Sequence, residues 1–182
     1  MIMVLAQLYI PARMILDSEN ILAEGKEFMF KTAPIDPTDP FRGKYIVLTF
    51  DESSAQVSHS EEWYDGQPVF VSLTTDEKGF AKIESVLKDE PVDIEDYVNA
   101  TIRYVAESDS FTNVSLAYPF DRFYMEESKA YDAELAYNEA SLDSNQTTYA
   151  LVSVRKGDAV VKDVLINGVP IREAAMNRRN SE

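Results

Sequence analysis

The chain reads as mainly β, an α+β fold arranged as a compact antiparallel barrel or sandwich, with a helix at the N-terminus and another near residues 126–141. Three observations lead there. Apolar and polar residues alternate over short runs, as in EFMFK at 27–31 and TNVSLAY at 112–118, which is the period of a half-buried strand. The runs are separated by short turns carrying Gly, as at 76–79, 156–158 and 167–168. Only one internal stretch changes to helical spacing.

Taken in order, residues 1–24 form an apolar or amphipathic segment that is apolar up to Ile10 and then meets Pro11 and Arg13. The run is too short to span a bilayer, which takes about 20 apolar residues. It also lacks the basic start and small-residue cleavage site of a signal peptide. Two readings stay open: an amphipathic helix from about Pro11 to Ala23 packed on the domain, or the remnant of a membrane anchor. Residues 25–173 read as a single β-rich domain. After the 27–31 strand, the stretch PIDPTDPFRGKYIVLTF at 34–50 is a stiff lead-in, because each proline fixes φ and pushes its predecessor towards extended geometry. A strand follows over Tyr45–Phe50. The polar run 51–67 reads as a connection and holds Trp63, the single tryptophan. Residues 69–87 read as a hairpin turning at Asp76–Gly79, and 88–97 as an acidic loop. VNATIRYVAES and TNVSLAY are further strands. Ala130, Ala133, Leu135, Ala136, Tyr137 and Ala140 are good helix formers or fit one face at helical spacing, giving a helix over 126–141. A last hairpin runs from Tyr149 to Ile171, and 174–182 is a polar, frayed tail.

The two hairpins resemble each other. VFVSLTTDEKGFAKIESVLKDEP from Val69 and YALVSVRKGDAVVKDVLINGVP from Tyr149 both run strand, charged Gly turn, strand, Val-Leu pair, turn and Pro. Each follows a Pro-Phe step, Pro40-Phe41 or Pro119-Phe120. With an offset close to eighty residues throughout, this pattern suits a barrel of two related halves. Similarity between unrelated hairpins is the competing reading, since alternation and Gly turns are common to all of them.

A formal net charge of -15 opposes binding to nucleic acid phosphates or to an anionic membrane through a basic patch. With no cysteine there is no disulfide and no thiolate chemistry. The single histidine, His59, lies in a polar stretch without a second His as partner and reads as an exposed loop residue. No P-loop, GxGxxG, GxSxG or HExxH pattern occurs, so no catalytic residue, cofactor or metal is expected. Asp36 and Asp39 sit three apart in the proline-stiffened loop and could face one cation, but a calcium site needs six to eight oxygens, and Asp before Pro also caps turns. Arg42, beside Gly43, offers a fork for a carboxylate or phosphate, though in so acidic a chain an internal partner is favoured. In DRFYMEE at 121–127, Arg122 and Tyr124 share a face if the segment is extended. Glu126 then stands at a helix start, where the macrodipole favours negative charge. Arg42, Tyr45, Arg122, Tyr124 and Glu126 are the candidate contacts for a ligand or partner.

PIDPTDPFRGKYIVLTF resembles the defining segment of the bacterial GDYXXLXY family. Gly43, Tyr45 and Leu48 match its motif, while Lys44 replaces the Asp and Phe50 the final Tyr. The preceding steps with Asp36 and Asp39 match, DRFYMEE looks like the family's segment before a helix, and GDAVVKDVLINGVPI looks like its terminal hairpin. The resemblance covers about Ile21 to Ile171. It implies a membrane-anchored, extracytoplasmic domain associated with membrane proteins, and it carries over no catalytic residue.

The expected function is therefore a membrane-tethered, β-rich binding domain without a catalytic site, on the periplasmic or extracytoplasmic side, whose partner is a membrane protein or another envelope component. A soluble cytoplasmic location stays an alternative. The rival reading is an enzyme or small-ligand sensor with a polar site between the two Pro-Phe segments, built on Arg42 and Arg122.

Overall fold

A computed structural model describes residues 2–33 and 45–179. Asp36, Asp39, Arg42 and Gly43, with the Pro40-Phe41 step, lie outside the described residues. The fold is α+β and mainly β, with a nearly closed antiparallel barrel-like sheet. In chain order its elements are α1 (Ile2–Glu24), β1 (Lys26–Lys31), β2 (Tyr45–Val47), β3 (Ser54–Val57), β4 (Pro68–Thr75), β5 (Ala81–Leu87), β6 (Tyr97–Glu107), β7 (Thr112–Ala117), β8 (Arg122–Tyr124), α2 (Glu127–Leu142), β9 (Thr148–Arg155), β10 (Asp158–Ile166), β11 (Val169–Pro170) and α3 (Ile171–Arg179).

The strands form sheets of order β1-β9-β10-β11, β2-β8 and β3-β7-β6-β4-β5. In the five-stranded sheet β3 comes back against β5. In the other half β8 lies against β10, and a bridge between Thr32 and Phe50 carries the β1 edge on to β2. Met29 bridges Phe80, and Val98 bridges Gly157, both in parallel, and these bridges tie the four-stranded and five-stranded sheets together.

The registers show two equivalent halves, β1–β5 and β6–β10. Shifting β1, β2 and β3 by 68 positions gives β6, β7 and β8: Phe30 falls on Val98, Ile46 on Val114 and Ala55 on Phe123 (30 to 98, 46 to 114, 55 to 123). Shifting β4 by 79 gives β9 (71 to 150), and shifting β5 by 78 gives β10 (83 to 161). Under these shifts the Phe30–Ala150 pair becomes Val98–Val71, Ile46–Phe123 becomes Val114–Ala55, and Leu73–Ile83 becomes Val152–Val161. The bulge coincides as well, with Glu84 skipped in one hairpin and Lys162 in the other. Gly79 and Gly157 close the two turns at φ 85 and 89, which a residue without Cβ adopts freely.

The offset of about eighty therefore holds for the hairpins and not throughout. It falls to 68 ahead of them because α2 lies between β8 and β9, where its counterpart is the short link from β3 to β4. Pro119-Phe120 accordingly corresponds to Asp51-Glu52, not to Pro40-Phe41. The two halves interlock: β1 is the third strand of the β9–β10 hairpin, and β6 the third strand of β4–β5.

Alternation places Phe28, Phe30, Ile46, Leu48, Phe50, Val71, Val98, Val114, Leu116, Val152 and Val164 in one core. Phe30 is its aromatic hub, with ring centroids 5.3, 5.7 and 5.2 Å from Phe50, Tyr118 and Phe120. α2 buries Ala130, Ala133, Tyr137 and Ala140, the face its spacing predicts, within one residue of the expected bounds.

Other expectations need correction. α1 is one helix from Ile2 and runs through Pro11, so the proline does not delimit it. The strand expected over 45–50 pairs only to Val47, then reaches Phe50 as a single bridge. The polar run 51–67 contains β3, and Trp63 there is buried, its indole N–H donating to the Ser58 carbonyl at 3.1 Å. Residues 174–179, read as part of a frayed tail, belong to α3, which buries Ile171 and Ala175 and packs on α2.

Candidate functional site

Three of the sequence-derived candidates meet on the β2–β8 ladder. Tyr45 pairs with Tyr124, their ring centroids 5.4 Å apart. One rung away, in a three-residue strand, Phe123 points into the core, so its neighbours Arg122 and Tyr124 must point out. The Arg122 guanidinium lies 5.2 Å from the centre of the Tyr45 ring, within cation–π range. Its Nε stands 3.6 Å from Asp121 Oδ1. A hydrogen bond to Tyr124 and the charge of Asp121 push its pKa further up, so it is a permanent cation. Glu126 does not join this group; it is exposed and pairs with Lys129 at 3.0 Å. Leu48 is a core residue, and its amide donates to the Asp121 carbonyl at 2.8 Å. Its place in the family motif is thus a packing role.

Arg122 and Tyr124 form one wall of an open groove of about 320 Å³ between β8 and β10. Pro119, Phe120 and Phe123 complete that wall, Ala159, Val160, Val161 and Lys162 make the opposite one, and Arg172 of α3 reaches in. The lining holds three cations and no carboxylate, although acids outnumber bases 32 to 17 in the chain. Two cations have acidic neighbours outside the groove, Asp121 for Arg122 and Glu27 for Lys162. Arg172 makes no ion pair among the described residues and lies over the Phe123 ring at 5.9 Å. Lys162 and Arg172 were not legible as site residues. Lys162 reaches the groove through a bulge, and Arg172 through the first turn of α3, a helix that was not expected.

A second surface belongs to α1. Tyr9, Ile10, Met14, Ile15 and Leu16 are 62 to 65% exposed, while Ile21, near the helix end, is buried against the domain. At about 3.6 residues per turn these exposed positions fall on several sides of the helix. No helix among the described residues is long and apolar enough to cross a membrane. Among the same residues no group of three His, Asp or Glu side chains is placed to hold a metal ion. His59 is exposed, as its context suggests, with Nδ1 3.0 Å from Thr112 Oγ1.

The model of the GDYXXLXY protein family matches residues 7–164, from α1 into β10. Neither the curated proteins nor the solved structures give a match.

Proposed function

We propose that this chain, which belongs to the GDYXXLXY family, is a non-enzymatic binding domain held at a membrane by α1, on the extracytoplasmic side, where it engages a membrane protein or another envelope component. The observation that carries this reading is the bare apolar surface of α1 over Tyr9–Leu16. A helix apolar on several sides is stable where something apolar covers it, and large exposed apolar patches mark partner or membrane contacts. The acidic charge supports the side chosen, because an anionic cytoplasmic leaflet repels it.

The test uses the whole chain with neutral phosphatidylcholine vesicles. The chain floats with the vesicles, and Ile10→Asp combined with Ile15→Asp leaves it in solution with an unchanged circular dichroism spectrum. Wild type that stays in solution, or a doubly substituted chain that still floats, overturns the tether. Repeated pull-downs from native membranes that recover no specific partner count against the binding role.

A further inference from the structure

The equivalence of the halves gives the β8–β10 groove a counterpart in the β3–β5 seam. There the chain fills the seam itself: the Glu52 carboxylate accepts a hydrogen bond from the Ile83 amide at 3.4 Å. The shifts that align the halves carry Glu52 to Phe120 and Ile83 to Val161 (52 to 120, 83 to 161), and both of those residues line the groove. Phe120 turns its ring into the core, 5.2 Å from Phe30 and 5.5 Å from Phe50, so it brings no carboxylate.

Ladder parity decides where the Val161 amide points. Thr32 N–H donates to the Thr148 carbonyl, so the even residues of β9 bond β1. Val152 is one of them and faces Val161 across the β9–β10 ladder. The Val161 N–H must then point away from β9, into the groove, just as the Ile83 N–H points into its own seam. No side chain of the described residues accepts from it. Around this donor stand Arg122, Lys162 and Arg172, with the apolar surfaces of Pro119, Phe123 and Ala159 beside them. With Asp121 and Glu27 set against two of the cations, Arg172 is the charge left to balance, which suits a single negative charge.

We infer that the β8–β10 groove binds the carboxylate of a partly apolar molecule, which takes the place that Glu52 fills in the other half: the Val161 amide and the Arg172 guanidinium hold the carboxylate, and the apolar wall holds the body. A guanidinium matches a carboxylate in a two-point fork. The carboxylate has two possible sources, a small organic acid or the C-terminus of a peptide. The inference is independent of the membrane tether, because the groove and α1 are separate surfaces.

The experiment titrates the isotope-labelled chain with sodium benzoate and follows backbone amides by NMR. The Val161 amide and its neighbours in β8 and β10 shift saturably, benzamide at the same concentrations leaves them in place, and inorganic phosphate binds more weakly. Arg172→Gln, a change at an exposed side chain, weakens benzoate binding by about tenfold with an unchanged spectrum elsewhere. A tripeptide with a free C-terminus, compared with its amide, identifies the source: tighter binding than benzoate points to a chain end, weaker binding to a small acid. No saturable shift at Val161, equal effects of benzamide, tighter binding of phosphate, or an Arg172→Gln chain that binds as wild type each overturn the inference.

Discussion

Glu84 and Lys162 occupy the same bulge in two equivalent hairpins, and they carry opposite charges. Glu84 accepts a hydrogen bond from the hydroxyl of Ser72 at 3.0 Å, and Ser72 is fully buried. Lys162 pairs with Glu27 at the surface. Removing either side chain therefore has unequal consequences. Glu84→Ala leaves a buried hydroxyl without its acceptor and costs about 1–2 kcal/mol. Lys162→Ala breaks an exposed pair and costs less than about 1 kcal/mol. Urea unfolding of the two variants measures the difference, and equal losses contradict it.

Phe30→Ala is the most damaging single core change expected. The ring is 1% exposed and meets Phe50, Tyr118 and Phe120 edge-on, in contact with residues of both halves. Its removal leaves a cavity at the joint and costs about 3–5 kcal/mol. A urea midpoint close to wild type shows that the joint repacks.

Stability falls in alkali for a reason located at Tyr137 and Tyr118. Burial, with a smaller contribution from Asp51, raises the Tyr137 phenol from 10.0 to about 12, while the nearby Thr32 hydroxyl acts in the opposite sense. Burial and the Glu52 charge raise Tyr118 further in the same direction. Below pH 10 both folded and unfolded chains keep these protons. Above it the unfolded chain releases protons that the folded chain holds, so stability is lost between pH 10 and about 12. Among the described residues no group, the Thr32 hydroxyl included, meets the Tyr137 hydroxyl in good hydrogen-bond geometry. Tyr137→Phe therefore gains about 1 kcal/mol at neutral pH and makes the alkaline decline shallower. Unfolding curves across the alkaline range, read beside phenolate absorbance, check both effects.

Two glycines separate backbone strain from crowding. Gly66 has φ 82, and a Cβ there meets nothing within 4 Å. Gly157 has φ 89, and a Cβ there comes within 2.8 Å of the Asn99 side-chain amide. Gly66→Ala costs about 1–2 kcal/mol from the left-handed conformation alone. Gly157→Ala costs more, because Asn99 must also move beside the bridge from Val98 to Gly157. Thermal melts of the pair give that order, and a reversed order refutes it.

The fold was legible where local chemistry agreed with tertiary packing. Alternation marks Phe28 and Phe30 as inward, Gly79 and Gly157 mark turns, and the small residues of α2 mark its buried face. Legibility failed where a partner distant in sequence decides. Ser54–Val57 is polar and becomes a strand because β7 pairs with it. Ile171 and Ala175 belong to a helix because α2 offers them a surface. The meeting of Tyr45, Arg122 and Tyr124 depends on a ladder joining segments nearly eighty residues apart. Sequence order gives no sign of the gap between β8 and β10 or of the two cations that enter it from β10 and α3.

The exchange of third strands between the halves has a consequence for the chain's dissection. A fragment ending in the 88–96 loop keeps β4 and β5 but loses β6, and the remainder keeps β9 and β10 but loses β1. Neither piece closes a sheet alone, yet each holds the strand the other lacks. The two pieces are complementary strand for strand, so fragments divided in the 88–96 loop are expected to associate when mixed, each supplying the third strand of the other's sheet.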